Sequence, residues 1–501
     1  MANGYGGGAA ANREEASWAS EDITNRLWRF YRERTSTRAV TKLAFVEHIA
    51  YLLFLKLDHE RSQRGGRLST KPVAPAGAWP RIAGLSGDEL HSELRALMDE
   101  LGKPSPQGAP ERETASVLFR DAQPWNVERM SELSRLIVEE IAPYRWSTVA
   151  RGELGRAFDR LIADCRDDID TKIDTGQTLT PRPILTVVAK ALAVRPGDVV
   201  IDPACGTGSA LLAAQRIMAA HEGHIGPEAI AGADLDAQMC RLATMNILLG
   251  TGRPFHAPAP IRQGDSLLAQ GTAVRRSDST IVPTVAICNP PFKSNSTPPN
   301  ADLRTDFWSF GDFPTNFLQH IAITLPIGAR AAVFVPDGVL FGNGAAATIR
   351  QRLLQNCDVH TLLRLPTGLF HRKGVKANIL FFAKAAPKPS GEPATRTLWV
   401  YDARSDTHHT DTGNPVTEAD FADFLAAYRP DGGFSARTES DRFRPYEASE
   451  LLDQVGTNLD LYAHLKPDLL EFEPPRDIAL RIADELGAAQ RHFKAVADAF
   501  K

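Results

Sequence analysis

The sequence predicts an α/β protein: a doubly wound, mostly parallel sheet, with an all-α domain before it and a tail helix at the C-terminus. Three observations carry that reading. Apolar stretches of strand length run into Gly- or Pro-marked turns and then into helical patterns, first at Asp198-Val199-Val200-Ile201-Asp202. From Ser17 to about Gly152, helical patterns alternate with a Pro/Gly-rich interval; Ala39 to Leu57 carries Phe45, Ile49, Leu52 and Leu55 at helical spacing. Arg476 to Phe500 places Ile478, Ile482, Leu486 and Phe493 near one helical face.

Composition sets the outer bounds. At 501 residues the chain is long enough for two or three domains, and its 43% hydrophobic content is ordinary for a globular protein. Residues 1–16, opening on a Gly/Ala-rich stretch, read as a disordered tail; 17–152 as the helical domain; 153–400 as the sheet domain; 401–470 as a C-terminal extension; 471–501 as the tail helix. No apolar run approaches a membrane span and the first residues lack a signal-peptide core, so a cytoplasmic protein without membrane contact is expected. The five cysteines show no paired spacing, and Cys205 and Cys288 read as small packing residues. His408-His409 has no matching ligand pattern, so no metal centre is expected. Net charge is −4. Phosphates supply most non-specific affinity for DNA, so a DNA-binding reading needs local basic clusters or a partner. Arg364, His371-Arg372-Lys373 and Lys376 are candidates, or simply solvated loop charges.

The first strand leads into Pro203-Ala204-Cys205-Gly206-Thr207-Gly208-Ser209, and Ala210 to Gln215 opens a helix. Strand, Gly turn and helix begin a Rossmann-like nucleotide-binding unit, in which glycines let the backbone approach a ligand. The spacing lacks the third glycine of the dinucleotide fingerprint, and no Gly-Lys-Ser/Thr follows. An acid at the head of the loop, Asp202, is poor for a pyrophosphate and better for a zwitterionic, cationic ligand such as S-adenosylmethionine (SAM). The next strand, Ala229 to Ala233, ends at Asp234, placed to accept from ribose hydroxyls; Asp236 fits better as the cap of the following helix. Asp265, in Gly264-Asp265-Ser266, could accept from the amine of a cofactor adenine, or mark a simple turn.

A further apolar run, Ile281 to Cys288, ends in Asn289-Pro290-Pro291-Phe292. The prolines stiffen the turn and fix the neighbouring backbone. An Asn side-chain oxygen and a Pro carbonyl become rigid adjacent acceptors beside an aromatic face, a set suited to a planar group with an exocyclic NH2, such as adenine. The bland alternative is a strand-ending turn with a buried Phe. Downstream, Asn295 to Phe317 contains Phe307, Trp308, Phe310 and Phe313 with Arg304, and Lys293 lies just before it. These rings are either exposed stackers beside a site or the core of a lid helix. Ala331 to Val335, Val359 to Leu365 and Ile379 to Ala383 complete the expected sheet.

In this order, Asp202-Pro203-Ala204-Cys205-Gly206-Thr207-Gly208, Gly232-Ala233-Asp234, Gly264-Asp265-Ser266-Leu267 and Asn289-Pro290-Pro291-Phe292 resemble the amino-group DNA methyltransferases that make N6-methyladenine. More narrowly, the chain resembles the modification (M) subunit of type I restriction–modification systems. The segment Gly176-Gln177-Thr178-Leu179-Thr180-Pro181-Arg182 resembles an element of that family that closes over SAM, with Thr178 and Leu179 where two aromatics are usual. Leu363 to Phe370, Gly374 to Phe382 and Asn458-Leu459-Asp460 share the likeness, which covers roughly residues 20 to 465.

The resemblance implies a SAM-dependent methyltransferase acting on adenine N6 of double-stranded DNA. Asn289 and Pro290 would accept from the amine of a flipped-out base, Pro291 would stiffen the corner, and Phe292 would stack on the base. Gln177, Thr178, Leu179, Thr180, Pro181, Arg182, Asp202, Ala204, Gly206, Thr207, Gly208, Asp234 and Asp265 would serve the cofactor. It also implies an assembly of two copies of the chain with one specificity (S) subunit, and a motor-nuclease (R) subunit for restriction. Two other readings stay open: a glutamine-directed protein methyltransferase, whose substrate also carries a carboxamide NH2, and a non-catalytic scaffold of a defence complex.

Overall fold

A computed structural model describes residues 19–461, apart from 36–39, 64–70, 106–109, 151, 171–177, 227, 269–281, 294–303, 371–375, 389–391, 405–408, 410–413, 432 and 455. The expected disordered tail, the tail helix, Gln177, the His371-Arg372-Lys373 cluster and His408 lie outside the described residues.

Among the described residues nine strands form one sheet: β1 (Val200–Asp202), β2 (Ile230–Asp234), β3 (Ile261–Gln263), β4 (Val285–Cys288), β5 (Arg330–Pro336), β6 (Cys357–Arg364), β7 (Ala377–Lys384), β8 (Thr397–Asp402) and β9 (Phe443–Glu447). Their spatial order is β3-β2-β1-β4-β5-β7-β6-β8-β9. The first five are mutually parallel. β7 lies antiparallel between β5 and β6, β6 and β8 are parallel, and β9 closes the edge antiparallel to β8. The chain steps outward from β1 through β2 to β3, then returns to place β4 on the other side of β1. Order therefore reverses between β1 and β4, and the crevice beyond their carboxyl ends is where open α/β sheets bind ligands.

Val285 to Cys288 are buried to the last residue because helices cover both faces of the sheet, which explains why such strands read as continuous apolar runs. One face packs against the helices Arg182–Ala191 and Ser209–Ala219, the other against Phe313–Thr324 and Ala345–Asn356. The sheet extends beyond the sequence expectation. β8 straddles residue 400, and β9 lies within the segment read as an extension. β9 buries only Phe443 and contains Pro445, so it has the weak pattern of an edge strand.

The helical region is not a separate lobe. Its central helix, Lys42–Ser62, is buried on every side rather than along one stripe. The helix Ala237–Thr251, which follows β2, gives Met239, Leu242, Met245 and Leu248 to the helical core and Cys240, Ala243 and Ile247 to the sheet core. A Cβ on Gly155 would sit 2.5 Å from Gly250 Cα, so the helices Glu153–Ala163 and Ala237–Thr251 touch backbone to backbone. Arg241 closes this junction with an ion pair to Glu47 at 2.6 Å, and Glu47 also accepts from the Tyr51 hydroxyl at 2.8 Å and from Gln238 at 2.9 Å.

Candidate active site

A cavity of about 580 Å³ opens at the switch point, within the range of small-molecule sites. The loops after β1, β2, β3 and β4 contribute Ala204 and Gly206, Asp234, Asp265, and Asn289 with Pro290 and Pro291 to its wall; Thr178 and Leu179 join from the segment before the sheet.

The first three loops are stitched to one another by two backbone bonds and one side-chain hydroxyl. Cys205 N–H donates to the Ala233 carbonyl at 2.9 Å, Gly264 N–H to the Asp234 carbonyl at 2.9 Å, and the Ser266 hydroxyl to the Pro203 carbonyl at 2.7 Å. The Asp234 carboxylate accepts from Gly206 N–H at 2.8 Å and from Asp236 N–H at 2.9 Å. Asp236 caps the next helix, accepting from Gln238 N–H at 2.7 Å, the capping role read from the sequence. Asp265 accepts from Leu267 N–H at 2.9 Å. Gly206 has φ +51°, a left-handed conformation that L side chains rarely adopt, and a Cβ there would meet nothing within 4 Å. Open space thus reaches the backbone at the bend.

Burial dominates the electrostatics. It pushes the Asp202 carboxyl up to about 7, against the opposing pull of Ala204 N–H and the Cys288 thiol. It pushes Asp234 up to about 6, against Asp236 and Gly206 N–H. Burial is the largest cause at both acids, and a positive ligand would favour their ionised forms.

At the fourth loop, Asn289 donates from Nδ2 to Thr180 Oγ1 at 2.7 Å. Its Oδ1 is closed off from solvent and has no hydrogen-bond partner among the described residues. Such buried, unpartnered acceptors are exceptions in folded proteins.

Several residues singled out by sequence are not in the cavity wall. Asp202 lies behind it, accepting from Ala204 N–H at 3.0 Å. Thr207 bonds Ser209 at 3.1 Å, and Gly208, at φ +77°, caps the following helix. Pro181 and Arg182 line a second groove, and Arg182 pairs with buried Asp159 at 3.1 Å. Phe292 packs on the core with its ring centroid 6.2 Å from that of Phe370. Arg364, a candidate phosphate contact, is corrected: it is fully buried and pairs with Asp460 at 2.7 Å and Asp337 at 3.4 Å. Lys376 is exposed. The aromatic stretch divides: Phe307 is buried, Phe313 and Phe317 reach the cavity, and Phe310 is 45% exposed. Arg304 is buried beneath it, bonded to Asp306 at 2.7 Å and to His320 at 3.0 Å.

The cavity also gains Leu235 and Met239, which the sequence reading passed over, and Leu267 and Lys293, which it named without a role. Leu235 had a signal: it is an apolar residue directly after a strand-end acid, and it is 68% exposed.

The family model for N-6 DNA methylases matches residues 150–462. The methylase subunit of the type I restriction enzyme StySPI from Salmonella potsdam is 31% identical over 87% of this chain and 81% of its own. The EcoKI methylase subunit of Escherichia coli K12 is 30% identical with the same coverage of both chains. A modification subunit ascribed to a type I restriction enzyme of Vibrio vulnificus YJ016 superposes with a TM-score of 0.69 at 23% identity, covering 92% of this chain and 100% of that one.

Proposed function

The chain belongs to the N-6 DNA methylase family, among the methylase subunits of type I restriction enzymes, and from that premise we propose how its residues divide the work of methylating adenine N6 in DNA. The observation that carries the reading is the buried, unpartnered Oδ1 of Asn289 in the wall that also holds Gly206, Asp234 and Asp265.

The cavity fits SAM in its size, the carboxyls of Asp234 and Asp265 in its wall and the open space at Gly206. When bound, SAM supplies a methyl group on a sulfonium, an electrophile that needs no metal. Asp234 takes the ribose hydroxyls, Leu235 offers an apolar platform, Asp265 accepts from the cofactor's adenine amine, and Ala204 and Gly206 allow close backbone approach. Thr178 and Leu179 flank the same space. Asp202, Thr207 and Gly208 act by holding the loop in shape, and Pro181 and Arg182 by fixing the start of the next helix.

The target adenine is inaccessible inside a duplex and is turned out to reach the corner. Its amine lone pair is delocalised into the ring. Asn289 Oδ1 and the Pro290 carbonyl accept from its two N–H bonds, localise that lone pair and orient it; Pro291 keeps the two acceptors rigid. This is catalysis by positioning and preorganised dipoles.

Among the described residues no helix is long and apolar enough to cross a membrane. Net charge of −4 suits a subunit whose grip on DNA is shared with a specificity subunit, a second copy of this chain and a motor-nuclease subunit. Sequencing host DNA for N6-methyladenine with the gene intact, deleted and carrying Asn289→Ala tests the reading. Modified adenines in one sequence context that vanish in both mutants are expected; labelled methyl groups appearing on protein instead would sink it.

A further inference from the structure

We infer that Thr180 is a positioning residue for Asn289, setting which end of its carboxamide meets the target amine. The inference deepens the adenine chemistry proposed above and rests on it.

A carboxamide is nearly symmetric in shape and opposite in chemistry at its two ends. Its terminal torsion is broad and roughly two-fold, so a half turn exchanges the acceptor for two donors. The target amine is itself a donor. In the wrong orientation NH2 faces NH2, and no bond forms. The productive orientation turns both N–H bonds of Asn289 away from the substrate, where they need an acceptor. Among the described residues the Asn289 side chain makes one hydrogen bond, from Nδ2 to Thr180 Oγ1 at 2.7 Å. The other end, Oδ1, is buried without a partner. One end therefore has its partner, and the other has none among the described residues.

The arrangement joins two sites 109 positions apart in the chain. Both ends of the bond are held by proline. Pro290 follows Asn289. Thr180 is followed by Pro181, the N-cap of the helix Arg182–Ala191, with φ −56° and ψ 132°. Rigid backbones on each side leave the hydroxyl little freedom to follow the amide if it turns. Thr180 thus acts through Asn289 rather than on the cofactor, although it lies in the segment that resembles a cofactor-closing element.

The test uses the full chain in the assembly purified from its host, with SAM and unmethylated host DNA. Thr180→Val removes the acceptor at nearly constant shape; Thr180→Ser keeps it. Thr180→Val should slow single-turnover methyl transfer by roughly three- to tenfold at saturating SAM and DNA, the loss expected for one neutral hydrogen bond. SAM affinity and the KM for DNA should stay within about twofold, and Thr180→Ser should restore the rate. Weaker SAM binding with an unchanged saturated rate would make Thr180 a cofactor contact and overturn the inference. So would a Thr180→Ser protein as slow as Thr180→Val, since packing of the methyl group would then be what matters. Wild-type assembly that leaves adenine unmethylated would overturn the proposed function, and this inference with it.

Discussion

The two banks of the cavity are built on opposite terms. On the acidic bank, Asp234, Asp236 and Asp265 each accept from backbone N–H groups within the loops that carry them or the loop alongside. On the amide bank, Asn289 makes one side-chain bond among the described residues, to a residue 109 positions away, and its Oδ1 has no partner among them. The acidic bank is many small local agreements; the amide bank is a single distant one. Mutations on the acidic bank should therefore change SAM binding, whereas mutations at Asn289 should change the chemistry.

The sharpest way to break the comparison is at Asn289. Asn289→Ala should lower methyl transfer by about 10²- to 10³-fold, the typical cost of one preorganised group at the reacting centre. SAM affinity, measured by calorimetry, should move by less than about threefold. Parallel loss of both would show that the banks are not independent. Next in size is Asp234→Asn, which keeps the shape and removes the charge. SAM affinity should fall by roughly ten- to a hundredfold, the range for a hydrogen bond to a charged group, with little change in the saturated rate.

pH separates the banks without mutation. The carboxyls of Asp202 and Asp234 sit at about 7 and about 6, above the ordinary Asp range. A raised acid means that the folded protein binds protons that the unfolded chain releases. The free protein should lose stability as pH rises from about 4 towards those values. A cationic ligand favours the ionised form, so SAM binding should release protons and strengthen with pH. From the Asp234 value alone, affinity should be roughly fourfold weaker at pH 5.5 than at pH 7.5. Asp234→Asn should flatten that dependence; an unchanged slope would assign it to Asp202. The smallest effect is expected for Ser266→Ala, which removes one of several ties within the acidic bank. SAM affinity should weaken by about threefold or less and methyl transfer should hold, because neighbouring backbone bonds remain.

The same contrast explains what could be read from the sequence. The acidic bank is local: an apolar strand, a Gly bend and a strand-end acid lie within a few residues of one another, so Asp234 and the cap Asp236 could be told apart. Asn289-Pro290-Pro291 was legible because its rigidity is local as well. The bond from Asn289 to Thr180 was not, because a pairing across 109 positions leaves no periodic trace. Arg364 misled for a related reason. Its partners Asp337 and Asp460 lie far off in sequence, so a buried ion pair looked like a loop charge. β9 escaped because an edge strand with one buried side chain lacks the alternation that marks half-buried strands. The helical region was recognised as helical, but the burial of Lys42–Ser62 on every side, which makes it a shared core, has no stripe to betray it.

The helix Ala237–Thr251 is wedged between two cores and begins at the cap beside the cavity. A fragment trimmed to start at the sheet would strip that helix of its outer cover and leave Met239, Leu242, Met245 and Leu248 facing water. A chain cut at residue 152 should therefore aggregate or fail to fold unless the helical half is supplied with it.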